Sequence, residues 1–116
     1  MKAISIRQPF AWAIIAGLKL VENRTWRTHY RGPIAIHAGQ SEVDLGSIPE
    51  APHRLYFGGL IGLVDLIDCV PLGSAPESRW TLGPWCWILA NPRPILEPIP
   101  WKGRLGLFEV PDAMTR

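Results

Sequence analysis

Twelve prolines and eleven glycines are spread through 116 residues, and their placement is the strongest constraint on the fold. Proline removes a backbone donor and fixes φ, while glycine favours turns, so the segments between them must be short. The longest uninterrupted aliphatic segment, Gly59–Val70 (GLIGLVDLIDCV), has the β-branched richness of a strand. Lys2–Ile6, Ile34–His37, Trp85–Ala90 and Arg104–Val110 read as further strands. Phe10–Ala16 (FAWAIIA), apolar nearly all round, reads as a short buried helix, with Pro9 in its first turn and Gly17 at its end. Gly32-Pro33 reads as a turn, and residues 39–58 and 71–83 as loops. The proline-studded stretch from Pro92 to Pro100 is excluded from a helix or a central strand. Five or six short strands and one N-terminal helix predict a small, mainly β fold over residues 1–116. A barrel is favoured because closure removes exposed edges.

Composition supports this class. Hydrophobic residues at 47% and charged residues at 19% exclude a disordered chain or a coiled coil. No run approaches the ~20 apolar residues of a membrane span. Cys69 and Cys86 lie inside apolar strand-like runs without metal-ligand spacing, which predicts free buried thiols. His29, His37 and His53 show no ligand spacing either, so no metal or other cofactor is expected. A cytoplasmic protein without a membrane partner is the expectation.

The formal charge of +2 hides an asymmetry. Residues 1–31 carry six Lys/Arg against the single acid Glu22, and residues 32–116 carry six bases against nine acids. The first quarter is therefore the segment suited to a polyanion. It contains Gly17-Leu18-Lys19-Leu20-Val21-Glu22-Asn23-Arg24, which matches the G-x-K-x-x-E-x-R hallmark of the ASCH family. Ser5–Trp26, Arg31–His37, Leu60–Cys69, Asn91-Pro92 and Pro100–Gly103 also resemble that family, in the branch of the transcription coactivator for which it is named. The resemblance implies a β-barrel similar to the RNA-binding PUA domain, with a cleft beside the helix that precedes the hallmark. It further implies action on RNA, DNA or nucleosides without fixing an activity. One branch removes the acyl group of N4-acetylcytidine, and others are proposed nucleases or non-catalytic readers.

Each candidate residue carries competing roles. Lys19 fits a phosphate ligand, a general base, or a solvated lysine complementing a helix end. Glu22 and Arg24 lie two apart, share a strand face, and fit either catalysis or a structural ion pair. In the amidohydrolase branch a threonine occupies the position of Glu22, so a carboxylate here implies another mechanism, and Thr25 is three residues displaced. Cooperation between Lys19 and Glu22 requires a turn or bulge between them. Asp65 lies on the Ile61, Leu63, Ile67 and Cys69 face of its strand, which is expected to point inward. It should meet Lys19 or Arg24, or line a cleft with a raised pKa.

Two readings follow. In the first, a binding module holds RNA or another single-stranded nucleic acid, phosphate being gripped by Lys19, Arg24, Arg27 and Arg31. A base then stacks in a Trp-walled cleft, with Trp26 the leading platform, Tyr30 beside it and Trp12 as a wall. In the second, a small hydrolase acts on a modified nucleoside or RNA through Lys19, Glu22 and Asp65. A protein partner is left open.

Overall fold

The computed structural model of the protein describes residues 1–42 and 48–112. Six strands and one short helix follow the chain as β1 (Lys2–Gln8), α1 (Phe10–Ile15), β2 (Val21–Arg24), β3 (Gly32–Glu42), β4 (Gly59–Pro71), β5 (Trp85–Pro100) and β6 (Leu107–Glu109). They form one sheet in the order β2-β5-β4-β3-β1-β6, with β1 and β3 parallel and every other pair antiparallel.

Strand alternation explains two packing layers. Ile4, Ile6, Ile34 and Ile36 point to the side covered by α1, where they meet Ala11, Ile14, Val64, Leu66 and Trp87. Ala3 and Ala35, one residue out of phase, point the other way and pack with Leu60, Phe108 and Val110. A Cβ at Gly62 would stand 2.6 Å from the Arg93 carbonyl oxygen and 2.7 Å from Ile15, so this glycine lets β5 and the helix approach β4 closely. Cys69 and Cys86 are free and buried, as expected. Among the described residues no helix is long and apolar enough to cross a membrane.

The mainly β class with a single short helix is as expected, but the sheet does not close into a barrel. Its ends are the four-residue β2 and the three-residue β6, too short to complete a ladder. β6 covers only Lys2–Ile4 of the outer edge of β1. From Ser5 onward that edge faces β2 without backbone pairing, and Arg24 of β2 bridges the gap by donating from Nη2 to the Ser5 carbonyl at 3.1 Å. The sheet is thus joined there by a side chain, and the seam is where a cleft opens.

Three strand expectations need correction. β3 begins at Gly32, within the expected turn, and runs to Glu42. β5 continues through Asn91-Pro92 to Pro100. Its proline half pairs with β4 alone, while β2 pairs only with Trp85–Ile88, so the missing N–H groups need no second neighbour. The inward face assigned to Asp65 is the third. Register shifts at Leu60/Gly62, Leu63/Asp65 and Leu66/Asp68 break strict alternation along β4. Leu60, Val64 and Leu66 of the opposite set share the core with Leu63 and Cys69 of the Asp65 set, while Ile67 is exposed.

Candidate nucleic-acid interface

The hallmark acquires a geometric meaning residue by residue. The Gln8 side chain starts α1: its Oε1 accepts the Trp12 amide at 2.9 Å, satisfying one orphan N–H of the first turn. At the other end Gly17 adopts φ +80, its amide bonds to the Ile14 carbonyl, and the Leu18 amide bonds to the Ala13 carbonyl. This is a Schellman closure, which glycine supplies without steric cost. The Lys19 amide also reaches the Ala13 carbonyl at 3.0 Å, so the chain folds back beneath the helix before β2 begins. That turn brings Lys19 and Glu22 together, as their cooperation requires.

The Lys19 side chain is buried, and its Nζ donates to the Val21 carbonyl at 2.6 Å and to Glu22 Oε1 at 2.7 Å. Arg24 Nη2 lies 2.9 Å from Glu22 Oε2. One carboxylate therefore bridges two cations, leaving one positive charge in excess. An ammonium has three donors and two are engaged, so one Lys19 donor has no hydrogen-bond partner among the described residues, and Nζ lies 5.8 Å from the Phe10 ring centre. Arg24 Nε is buried with no hydrogen-bond partner among the described residues. Glu22 and Arg24 sit opposite Trp87 and Trp85 in the antiparallel ladder, which fixes them on one face.

These three residues line a cavity of about 470 Å³, within the roughly 300–1,000 Å³ of small-ligand sites. Its aromatic wall is Phe10 and Trp80, in edge-to-face contact at 6.4 Å. The Arg79 guanidinium lies 4.2 Å from the Trp80 ring centre and is tied to Glu50 at 2.8 Å. Sequence reading missed both Phe10 and Trp80 as site residues. Trp80 belongs to the loop before β5, and its position is set by Asn23 inside the hallmark. Asn23 Nδ2 donates to the Trp80 carbonyl at 2.8 Å, while its Oδ1 accepts the Leu82 and Gly83 amides at 2.9 Å each. An asparagine at a variable hallmark position was the available signal, since its amide can clamp a loop from both sides.

The remaining candidates lie outside this cavity. Trp26 is 38% exposed and packs edge-to-face on Trp87 at 4.8 Å. Arg27 lies 5.6 Å from the Trp85 ring centre. Tyr30 donates from its hydroxyl to the Pro33 carbonyl, and Arg31 donates to the Thr28 and Tyr30 carbonyls. These contacts brace the connection from β2 to β3. Trp12 is half-buried on α1 and does not line the cavity.

Asp65 is not gathered with Lys19 and Glu22. It meets Asn91 Nδ2 at 3.0 Å and Arg93 Nη2 at 3.1 Å. The Asn91 hydrogen bond, followed by the hydrogen bond and then the charge of Arg93, holds its carboxyl below the ordinary carboxylate range, contrary to the raised pKa expected for a cleft acid. A depressed folded-state pKa contributes stability above the unfolded value near 3.9, and that contribution is lost as pH falls through the folded value. Asp65→Asn should therefore lower stability at pH 7 by less than about 1 kcal/mol, because the pair is partly exposed. The deficit should shrink only below about pH 3.9. Urea unfolding at pH 7 and in steps below pH 4 measures this, and a deficit that disappears by pH 6 contradicts it.

On the seam's other side Ser5 Oγ lies 3.0 Å from His37 Nδ1, and His37 Nε2 lies 2.6 Å from the Trp101 carbonyl. A carbonyl only accepts, so Nε2 carries the proton and Nδ1 accepts from Ser5, a tautomer assigned from these partners. His37 is thereby a satisfied buried histidine, and half-buried Trp101 belongs to its support.

Comparison with known proteins agrees with this architecture. The family model for the ASCH domain matches residues 4–115. The chain is 32% identical to activating signal cointegrator 1 of Homo sapiens and 31% identical to that of Mus musculus, each over 126 aligned residues. The alignments cover 92% of this chain and 22% of each relative, so the chain spans about a fifth of the length of the curated relatives it matches. The crystal structure of ASCH from Zymomonas mobilis superposes with a TM-score of 0.63 at 18% identity, covering 97% of this chain and 88% of that one. A point mutant of the same protein gives 0.63 at 19% identity, over 96% and 90% of the respective chains. That likeness carries the fold, while the family match extends over nearly all of the sequence: the chain belongs to the ASCH domain family.

Proposed function

We propose that the protein is a binding module for RNA or another single-stranded nucleic acid, taking one base into the cleft between α1 and β2. The observation that carries this reading is the pairing of an aromatic wall, Phe10 and Trp80, with a polar floor of net positive charge, Lys19–Glu22–Arg24. An aromatic platform holds a base by stacking, and donors and acceptors at its edge read the Watson–Crick groups. Glu22 supplies acceptors, and Lys19 supplies a remaining donor. Arg7 and Arg79 at the rim favour the phosphates on either side.

The hydrolase reading finds less support. Its three polar residues are divided between two places, because Asp65 is engaged by Asn91 and Arg93. Both oxygens of Glu22 are occupied by cations, an arrangement suited to recognition more than to activating water.

Titration with a short single-stranded RNA, alongside incubation with N4-acetylcytidine, separates the two. Lys19→Met should weaken RNA binding by about ten- to 150-fold, a charged hydrogen bond being worth about 1.5–3 kcal/mol. Wild-type affinity should fall with salt, and N4-acetylcytidine should be recovered unchanged. Turnover that disappears in Lys19→Met and Glu22→Gln would overturn the binding reading.

A further inference from the structure

The base cleft has a neighbour. A second hollow of about 390 Å³ adjoins it across Ser5, Arg7 and Arg24, which border both. Its far side is the turn from β5 to β6, with Arg104, Leu105 and Gly106. Among the described residues, three arginines and no carboxylate line this shelf. Neither Arg7 nor Arg104 is engaged in an ion pair or side-chain hydrogen bond among the described residues, and both are exposed. Arg24 adds the buried Nε, which has no hydrogen-bond partner among the described residues. Leu105 is fully exposed, an apolar surface beside the charges.

From this we infer that the shelf is a second nucleotide position. The phosphodiester that follows the cleft base rests among Arg7, Arg24 and Arg104, and the next base lies over Leu105. The inference rests on the reading of the cleft as a base site, and it specifies the ligand as a strand of at least two nucleotides instead of a free nucleoside. The chemistry is specific in three respects. Guanidinium forks match the oxygens of a phosphate in bidentate fashion. Arg24 is already paired with Glu22, but the Arg7 and Arg104 charges have no ion-pair partner among the described residues until an anion arrives. The three shared residues make the two compartments continuous, as a base and its own phosphate are.

Arg24 also stabilises Glu22, so the test uses Arg7 and Arg104. Isothermal titration compares four ribonucleosides, their monophosphates and mixed-sequence ribodinucleotides on the wild type and on Arg7→Gln/Arg104→Gln. An unchanged thermal melt confirms that the variant is folded. Dinucleotides should bind the wild type about ten- to a hundredfold more tightly than nucleosides, from one or two charged hydrogen bonds. The double variant should lose that advantage, its salt slope falling by about 0.7 for each lost phosphate contact. Arg104→Gln alone, at a position outside the cleft, should weaken dinucleotide binding while binding nucleosides as before.

Pyrophosphate and hexaglutamate complete the set. Pyrophosphate should bind the wild type and not the double variant. Dinucleotides binding no better than nucleosides would overturn the shelf and leave the cleft reading standing. Pyrophosphate and dinucleotide binding that depends on Arg104, with no nucleoside affinity, would keep the shelf and remove the cleft as a base site. Hexaglutamate competing as well as an oligonucleotide of equal charge would overturn the phosphate assignment, and no binding by any probe would overturn both.

Discussion

Replacing Glu22 with alanine should destabilise the protein by about 3–5 kcal/mol, more than removing either of its cationic partners. The Glu22 side chain is 12% exposed and Lys19 only 6%, so neither Lys19 nor Arg24 can recover a full hydration shell when the carboxylate is deleted. Two like charges would then face each other across a low-dielectric seam, with the Val21 and Ser5 carbonyls as their remaining partners. Lys19→Met is the instructive contrast. It leaves the Glu22–Arg24 pair intact and locally neutral, so its cost should be smaller and its effect fall mainly on ligand binding. The ordering Glu22→Ala, then Glu22→Gln, then Lys19→Met is checked by urea unfolding at pH 7. Because the trio is largely out of solvent, added salt should change these differences little. Equal costs for Glu22→Ala and Lys19→Met would show that the carboxylate does not hold the two cations in place.

This ordering also bears on why the hallmark has its composition. Gly17 turns the chain, Lys19 and Arg24 supply charge, and Glu22 allows both charges to sit beside a cavity without repelling each other. The spacing of Lys19 and Glu22, wrong for one face of a strand, becomes right because β2 starts only at Val21. A structural ion pair and a binding residue are therefore compatible readings of the same side chains. The structural role of Glu22 is what lets Lys19 and Arg24 keep their charges beside the cavity.

What was legible in the sequence was largely local. Aliphatic alternation marked Lys2–Ile6 and Gly59–Val70, and Gly17 marked the helix end, because each depends on near neighbours along the chain. Asp65 was misplaced because three register shifts along β4 do not alter composition, yet together they undo a strict period of two. The open seam was equally hidden. Whether a sheet closes depends on how far β6 extends along β1, and three paired residues decide it. Trp26 has its cationic neighbours close in sequence, whereas Trp80 reaches the cavity through Asn23, 57 positions away. Proximity in sequence gathers cations around Trp26, whereas the indole that lines the cavity is Trp80.

That distinction carries the second large effect. Trp80→Ala should weaken single-stranded RNA binding by about 1–3 kcal/mol, the worth of one stacked base, or roughly five- to 150-fold. Trp26→Ala should leave affinity nearly unchanged while lowering stability, since Trp26 covers Trp87, which is fully buried. Asn23→Ala provides an independent route to the same cleft wall. It removes the acceptor of two amides and the donor to the Trp80 carbonyl, so the indole loses its anchor while remaining in the sequence. Its affinity should approach that of Trp80→Ala, and the double variant should be little weaker than either single one, because both changes abolish the same stacking surface. Fluorescence anisotropy with a labelled oligonucleotide, read beside a thermal melt of each variant, separates affinity from stability. Loss of binding in Trp26→Ala with full affinity in Trp80→Ala would move the base site out of the cleft and onto the surface of the β2–β3 connection. Additive losses in the Asn23/Trp80 double variant would show instead that Asn23 contacts the ligand on its own account.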